Sequence, residues 1–600
     1  MKKDKAPRPD GILPEFILNL DIQAKVVLLA FLNFVLFNGI PAIWRKATIV
    51  PILKPKKKAN KLASYRPIAL TSIICKLYEK MIMKRLKKEL REKRLLHPAQ
   101  GAFQQHKSSI DQATFLCQRI QDGFNAKLTT LVTFVDLRAA YDLVSRDIVI
   151  QKLIEMNISG SIIHCVCDFL CQRFISVRYN DYTTSYKQVK RGLPQGAVSS
   201  TTLFNIFLND LCYKLRTIPG VEIILYADDL AIMVPGDDMK IMENIMNCAL
   251  AVLYEWTNTN QMEVNTEKTK YQLFSMCDIP FKPKLLFGQE TVEEIVNQCY
   301  LGIILDQKLT FRIHANDLAS KAERRLRLLK RLTGTMWGTS RDTLLLTYNM
   351  YIHPVLTYGE ELLITASDSV NKQLEIVQNK ALRTICGGVK FTPITSMEMF
   401  TDVKTLQFSR EEAALKLYQR IVRTPNSLWN NFITTEQRLK SKYSFVNKIE
   451  QLHRKYELNL PNKVRKFTNK KQSKLRNMEY NANKTLIKQS VRNAITKRNT
   501  ELSEGKAWSM INPKIVQSNV RQTYVANFRK LTGHDLLYKH LHRMKLVPSP
   551  LCKFCEKEDQ TSEHIMQCPG LKREIEDLKK ICPDEEELFS KLYWHVRGKQ

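Results

Sequence analysis

"EIILYADDLAIMV", Glu222 to Val234, sets two adjacent aspartates between two runs of strand-forming apolar residues. Ile223, Ile224 and Leu225 lead in, and Leu230, Ala231, Ile232 and Met233 lead out, so the segment reads as strand, turn, strand. Asp228 and Asp229 then have two readings. Asp is a good turn residue, and the pair could simply be solvated. Alternatively the carboxylates hold a cation, since two anions this close are comfortable mainly when a metal neutralises them.

Upstream lies "LVTFVDLRAAYDLVSRD", Leu131 to Asp147, in which an apolar strand ends at Asp136 and Tyr141–Asp142 open a helix. A lone carboxylate at a strand end is commonly a helix cap or a turn residue. Together, Asp136 and the Asp228–Asp229 turn could supply three carboxylates at the ends of neighbouring strands. That set suits two divalent ions, one activating an attacking hydroxyl and both neutralising a phosphoryl group displaced in line. Between them sits "RGLPQGAVSSTTLFNIFLNDL", Arg191 to Leu211, a tight loop before an apolar helix. Glycine at 192 and 196 lets backbone approach a ligand closely, and Gln195 offers a donor and an acceptor. An ordinary strand-to-helix turn would look the same.

Composition narrows the partners. With 44% hydrophobic and 25% charged residues in 600, the chain is globular and long enough for several domains. A formal charge of +34 is best tolerated by a protein whose partner is a polyanion, with nucleic acid ahead of an anionic membrane surface. The most apolar run, Val26–Trp44, is interrupted by Asn33, Asn38, Gly39 and Pro41, so it reads as a buried amphipathic helix and no membrane span. No signal peptide is visible, and fourteen mostly scattered cysteines indicate reduced thiols. In "HCVCDFLC", His164, Cys167 and Cys171 would share a helix face whose apolar neighbours point to core packing.

Residues 1–130 alternate short strands with basic helices, and 131–274 alternate strands with helices as in a mixed sheet. Beyond Phe311 the chain reads as helical, beginning with the cation-lined "KAERRLRLLKRL", Lys321–Leu332. From Ser441 to Thr500 there are sixteen Lys+Arg against three Asp+Glu and no strand pattern, as in a basic linker or nucleic-acid clamp. Near the end, Cys552-x2-Cys555-x8-His564-x3-Cys568 supplies three thiolates and one imidazole, a tetrahedral set for a closed, structural Zn²⁺ site. So short and polar a segment needs such a staple to fold.

The motifs "APRPDGILPEFI", "WRKATIVPILKP", "SYRPIALTSIICKLYEKMI", "FVDLRAAYD", "RGLPQGAVSS", "YADD", "EVNTEKTK" and "YLGIILDQKLTF" run in that order. In this order the chain resembles the reverse transcriptases of non-LTR (LINE-type) retrotransposons, particularly the jockey-like clade. The resemblance implies an α+β right-hand polymerase: N-terminal extension and fingers over 1–130, palm with a mixed or antiparallel sheet over 131–311, helical thumb and connection over 312–430. A basic helical linker (431–520) and a small C-terminal zinc-knuckle region (521–600) would follow. It implies RNA-directed DNA polymerase activity, with Asp136, Asp228 and Asp229 holding two Mg²⁺ ions, helped by the Leu137 carbonyl. Tyr141 would be the steric gate under the sugar, Gln195 and Gly196 would position template base and nucleotide, and Lys54 and Arg66 would grip the triphosphate. Lys268 would be the general acid for pyrophosphate. Arg324, Arg325, Arg327, Lys330 and Arg331 would lie against the template–primer backbone, although bottom-up they could be a solvated face. In the knuckle, Lys553 and Phe554 would be exposed to touch phosphate and stack a base of the element's RNA or the target DNA.

The partners so implied are an RNA template, a DNA primer, deoxynucleoside triphosphates and target chromosomal DNA, with action in the nucleus and no membrane. The first motif corresponds to the segment that follows the family's endonuclease, so cleavage of target DNA is not expected of these residues; nor is RNase H activity. "AQGAFQQHKSSIDQ", Ala99–Gln112, lacks the usual Gly-Phe-Arg, and "VSSTTLF" replaces a more usual Leu-Ser-Pro. Two other readings stand beside the polymerase: a catalytically weakened nucleic-acid-binding relic, and a group II intron-type maturase.

Overall fold

A computed structural model describes residues 10–598 apart from 56, 279–280, 433–434, 440–441, 459, 461–469 and 519. The start of the first motif (6–9), one residue of the run Lys54–Lys58 and the middle of the basic stretch therefore lie outside the described residues. The chain divides into two units, Met1–Leu301 with Thr424–Arg438, and Gly302–Arg423 with Leu439–Gln600.

The strands of the first unit are β1 (Lys46–Leu53), β2 (Tyr65–Leu70), β3 (Thr129–Val135), β4 (Arg173–Tyr179), β5 (Tyr182–Thr183), β6 (Lys187–Val189), β7 (Glu222–Tyr226), β8 (Asp229–Gly236), β9 (Lys270–Phe274), β10 (Leu285–Phe287) and β11 (Glu290–Glu294). One sheet has the order β10-β11-β9-β3-β8-β7. Its centre is antiparallel, with Val135 opposite Leu230 and Leu225 opposite Leu230 on the other side, while β11 joins β9 in parallel. β3 is buried at every position but the first, which is why "LVTFV" reads as a continuous apolar run and not as an alternation. The second sheet carries the β1–β2 hairpin, with β4 parallel to β1. The long helix Met239–Asn260 buries Met246, Leu250 and Leu253, and the helix Ser109–Asn125 packs on β3, β7 and β8. The returning segment Thr424–Arg438 adds Trp429 and Phe432 edge-on to Phe115, and Arg438 donates to the Phe124 and Asn125 carbonyls.

Beyond Phe311 the described elements of the second unit are helical. Arg312–Arg331 packs on Asp368–Cys386, Leu406–Ile421 on Lys470–Ser503, and Arg521–Thr532 on Glu585–Gly598. Among the described residues no helix is long and apolar enough to cross a membrane.

Two sequence expectations are corrected. The run from Val26 is not a buried amphipathic helix: Ile22–Asn38 is apolar all round, and only Leu32 and Val35 are buried while Val26, Val27, Phe34 and Phe37 are exposed. Apolarity without a stripe leaves a helix no preferred inward face, so packing alone chose one. In "HCVCDFLC" the core face of the helix Gly160–Leu170 is Ile162, Cys165, Val166 and Phe169. His164 and Cys171 are exposed and Cys167 is half-buried, because the helix stops at Leu170 and the inward stripe runs one residue out of step with the expected one.

Candidate active site and metal centre

The register explains how three carboxylates meet. β8 is hydrogen-bonded to β3 on one side and to β7 on the other, so the β7–β8 turn lies beside the C-terminal end of β3. Asp136 is the residue after β3, Asp228 lies in the two-residue turn with Ala227, which is in the left-handed region at φ 58, and Asp229 opens β8 opposite Tyr226. Their electrostatics report the closeness. Partial burial, then the charges of Asp228 and Asp136, push the Asp229 carboxyl up to about 6, and burial with Asp136 raises Asp228.

The segment "EVNTEKTK" runs alongside. Leu137 bridges Val264, the Arg138 N–H donates to the Glu263 carbonyl, and the Asp136 N–H donates to the Thr269 hydroxyl. This sets Lys268 Nζ 3.1 Å from Asp136 Oδ2. That exposed pair is worth little by itself and leaves most of the cluster's negative charge unneutralised. An open carboxylate set in which neighbouring charge raises Asp228 and Asp229 fits a divalent cation that keeps some waters.

Tyr141 stacks on Phe204 at 4.5 Å and 16°, and its phenol is raised first by burial and then by the charge of Asp228. The Leu193 N–H donates to the Tyr141 carbonyl, which ties the ring to the "RGLPQG" loop. Glycine is required in that loop. At Gly192 (φ +85) a Cβ would lie 2.8 Å from the Asp142 carbonyl oxygen, and at Gly196 (φ +113) it would lie 3.0 Å from that of Ala69. Gln195 Nε2 donates to Asp142 Oδ1 at 3.1 Å, and its carbonyl accepts from the Ala69 N–H. Lys54 follows β1, and its charge bears on Asp142; Arg66 is exposed on β2 opposite Ile52. The loop, Tyr141 and the hairpin cations therefore belong to one neighbourhood of the first unit.

Sequence reasoning missed the groups that brace it. Gln100, 1% exposed, accepts from the Ala227 N–H of the aspartate turn and from Ala102, while the Gly101 N–H donates to Leu225 of β7. Glu79, 2% exposed, accepts from the Val198 and Ser199 N–H groups and the Ser199 hydroxyl, holding the end of the glycine loop. A carboxylate amid Cys75, Tyr78, Ile82 and Met83 on the inward face of Ile73–Glu92 was the available signal. Glu79→Ala would strand buried donors, so it is expected to cost about 2–3 kcal/mol, measured as a lower urea midpoint. Glu79→Gln keeps an acceptor and should lose less than half as much.

In the second unit the basic helix Arg312–Arg331 leaves Arg324, Arg327, Lys330 and Arg331 exposed. Arg325 departs from the expected role: its guanidinium donates to the Tyr351 carbonyl at 2.5 Å and lies 4.6 Å over that ring. Near the C-terminus, one ligand atom each from Cys552, Cys555, His564 and Cys568 lie within 4.8 Å of one another. Cys552 and Cys568 sulfurs are 3.7 Å apart, near the ~3.8 Å that a tetrahedral Zn–S length implies, and Cys555 Sγ is 3.3 Å from His564 Nε2. The Lys557 and Glu558 N–H groups help pull the Cys555 thiol down to about 7, and Glu558 Oε2 lies 3.0 Å from His564 Nδ1, leaving Nε2 to face the sulfurs. The cluster is compatible with zinc. Lys553 and Phe554 are half-buried rather than exposed, with the ammonium 5.7 Å from the ring centroid, and the Phe554 carbonyl packs so close to Gly570 that a Cβ there would lie 2.1 Å from it.

Residues 54–305, which contain the carboxylates, the loop and the hairpin cations, match the family model described as reverse transcriptase (RNA-dependent DNA polymerase). They belong to the reverse transcriptase family. The probable RNA-directed DNA polymerase from transposon BS of Drosophila melanogaster is 26% identical over 67% of this chain and 45% of its own length. The RNA-directed DNA polymerase from mobile element jockey of Drosophila funebris is 25% identical over 76% of this chain and 50% of its own. The chain thus spans about half the length of the curated relatives it matches. Apo telomerase from Candida tropicalis is similar over 61% of this chain at 10% identity and a TM-score of 0.35, too low to bear on the fold.

Proposed function

We propose that this reverse transcriptase extends a DNA 3′-hydroxyl on an RNA template, as the polymerase of a jockey-like non-LTR retrotransposon. The observation that carries the reading is the grouping of Asp136 at the end of β3 with Asp228 in the β7–β8 turn and Asp229 at the start of β8. In this reading the first unit supplies fingers and palm, and the helices after Phe311 supply the thumb. Two bound Mg²⁺ ions would activate the primer hydroxyl and neutralise charge on the phosphoryl group. Asp136, Asp228 and Asp229 would hold them, with the Leu137 carbonyl beside them. Lys54 and Arg66 bind the triphosphate; Gln195, fixed by Asp142, orients the nucleotide against the template; Lys268 carries the proton available to the leaving pyrophosphate. Cys552, Cys555, His564 and Cys568 hold one structural Zn²⁺. Target-primed synthesis would place the action at chromosomal DNA, hence in the nucleus.

The test is dTTP incorporation on poly(rA)–oligo(dT) with Mg²⁺ by the purified chain. Tight binding of that primer-template without incorporation would sink the polymerase and leave a nucleic-acid-binding relic. A second result is expected at Tyr141. Its ring is immobilised on Phe204, so it can reject a 2′-hydroxyl by contact without moving aside. Tyr141→Ala should lower the preference for dTTP over UTP at least ~10-fold, read as the ratio of kcat/KM for the two nucleotides. An unchanged ratio would remove the gate role.

A further inference from the structure

The turn "TGTMWGTS", Thr333–Ser340, that follows the basic helix has no part in the chemistry described, yet it is built to hold one aromatic ring outward. Trp337 is 62% exposed and Met336 beside it 48%, in a chain where most tryptophans are covered. The backbone around the indole is locked. The Gly334 N–H donates to the Trp337 carbonyl at 2.8 Å, the Thr333 hydroxyl donates to the same carbonyl, and the Thr339 N–H returns to Leu332. Gly338, at φ +126, passes so close to Thr333 that a Cβ would lie 2.5 Å from its Cα. The indole lies against Gly334, where a Cβ would meet its Nε1 at 2.3 Å. Beneath, Arg521, 4% exposed, donates to the Gly334, Ile385 and Thr384 carbonyls and so ties the turn to the end of Asp368–Cys386.

A large ring held in place at the surface beside exposed Met336 offers a ligand a ready-made plane at little cost in ordering. Charge identifies the ligand. The helix leading directly into the turn presents Arg324, Arg327 and Arg331 at spacings of three and four, hence on one face, with Lys330 adjacent. All are exposed, and among the described residues Arg327, Lys330 and Arg331 enter no ion pair. Cations that track a backbone, ending on a rigid aromatic plane, are the elements of a single-strand binding site.

We infer that Trp337 is a stacking platform for an unpaired base of a single-stranded nucleic acid whose phosphates run along the exposed cations of Arg312–Arg331. The inference rests on the proposed handling of nucleic acid and adds the residue that takes a base in the second unit.

The experiment measures fluorescence anisotropy of a fluorescein-labelled oligo(rA) of roughly 20 nucleotides across a salt series, without nucleotide or Mg²⁺, on the full chain. Trp337→Leu keeps an apolar side chain without a π face, and should bind about five- to a hundredfold more weakly with an unchanged slope of log Kd against log salt. Trp337→Phe should keep most of the affinity. Arg331→Ala should instead reduce the slope by about 0.7. Melting curves should coincide, since the indole is on the surface. Binding by Trp337→Leu within twofold of the parent chain, or a loss that comes with a reduced slope, would overturn the platform and favour a protein partner for the exposed ring. The two readings fail separately. A chain that incorporates no dTTP but binds oligo(rA) through Trp337 loses only the polymerase, whereas one that incorporates dTTP and is indifferent at Trp337 loses only the platform.

Discussion

Asp228→Asn should abolish dTTP incorporation on poly(rA)–oligo(dT), lowering it on the order of 10³-fold or more, equivalent to about 4 kcal/mol of transition-state stabilisation. The change keeps the size and shape of the side chain and removes one charge. In the parent chain that charge, with that of Asp136, raises Asp229, so the cluster is repulsive when no cation is present. The variant should therefore fold as well as the parent or slightly better, with an equal or higher melting temperature. Primer-template binding should persist, because in the proposed reading the phosphate contacts come from cations elsewhere. Incorporation lost with stability and binding intact is the signature of a metal ligand. Incorporation retained within tenfold would remove Asp228 from that role, and lost incorporation with a collapsed melting curve would point to a structural aspartate.

Cys552→Ser should take zinc from about one ion per chain to none, read by metal analysis, and unfold the segment around residues 551–570. Its other anchors are few: the Ser562 hydroxyl donates to Asp535, the Tyr538 N–H donates to Gln560, and Ile565 is buried. Its regular structure among the described residues is a single bridge, Leu551 to Asp559, and the short turns His564–Met566 and Pro569–Leu571. Structural zinc contributes on the order of 10–16 kcal/mol in comparable small sites, far more than those elements supply. Protection from hydrogen exchange should vanish over 551–570, and a chelator should do the same to the parent chain. Incorporation on poly(rA)–oligo(dT) should change less than about threefold, since the carboxylates and their bracing residues all lie in the first unit. Zinc content unaltered by Cys552→Ser would refute the ligand set.

Much of the site was legible because its chemistry depends on local pattern. A strand–turn–strand with two acids, a strand ending in an acid, and a glycine-bounded loop each declare themselves within about ten residues. The Cys/His cluster was readable for the same reason: ligand spacing is a local property. Glu79 and Gln100 were not legible in this way. Glu79 acts on Val198 and Ser199, and Gln100 on Ala227, each more than a hundred residues away, and nothing near either residue announces its partner. Arg325 was misjudged by the same blindness, because only packing brings Tyr351 under its guanidinium.

The sequence by itself picked out the three carboxylates, the glycine loop and the C-terminal Cys/His set as candidates, and its charge of +34 suits a polyanion, since residue type and spacing suffice for those. Tertiary structure alone decided which cations stay free, which face of an evenly apolar helix turns inward, and which buried amide and carboxylate brace the aspartate turn and the glycine loop. Those outcomes depend on contacts between residues distant in the chain, where burial makes an unpaired polar group costly and so selects one partner.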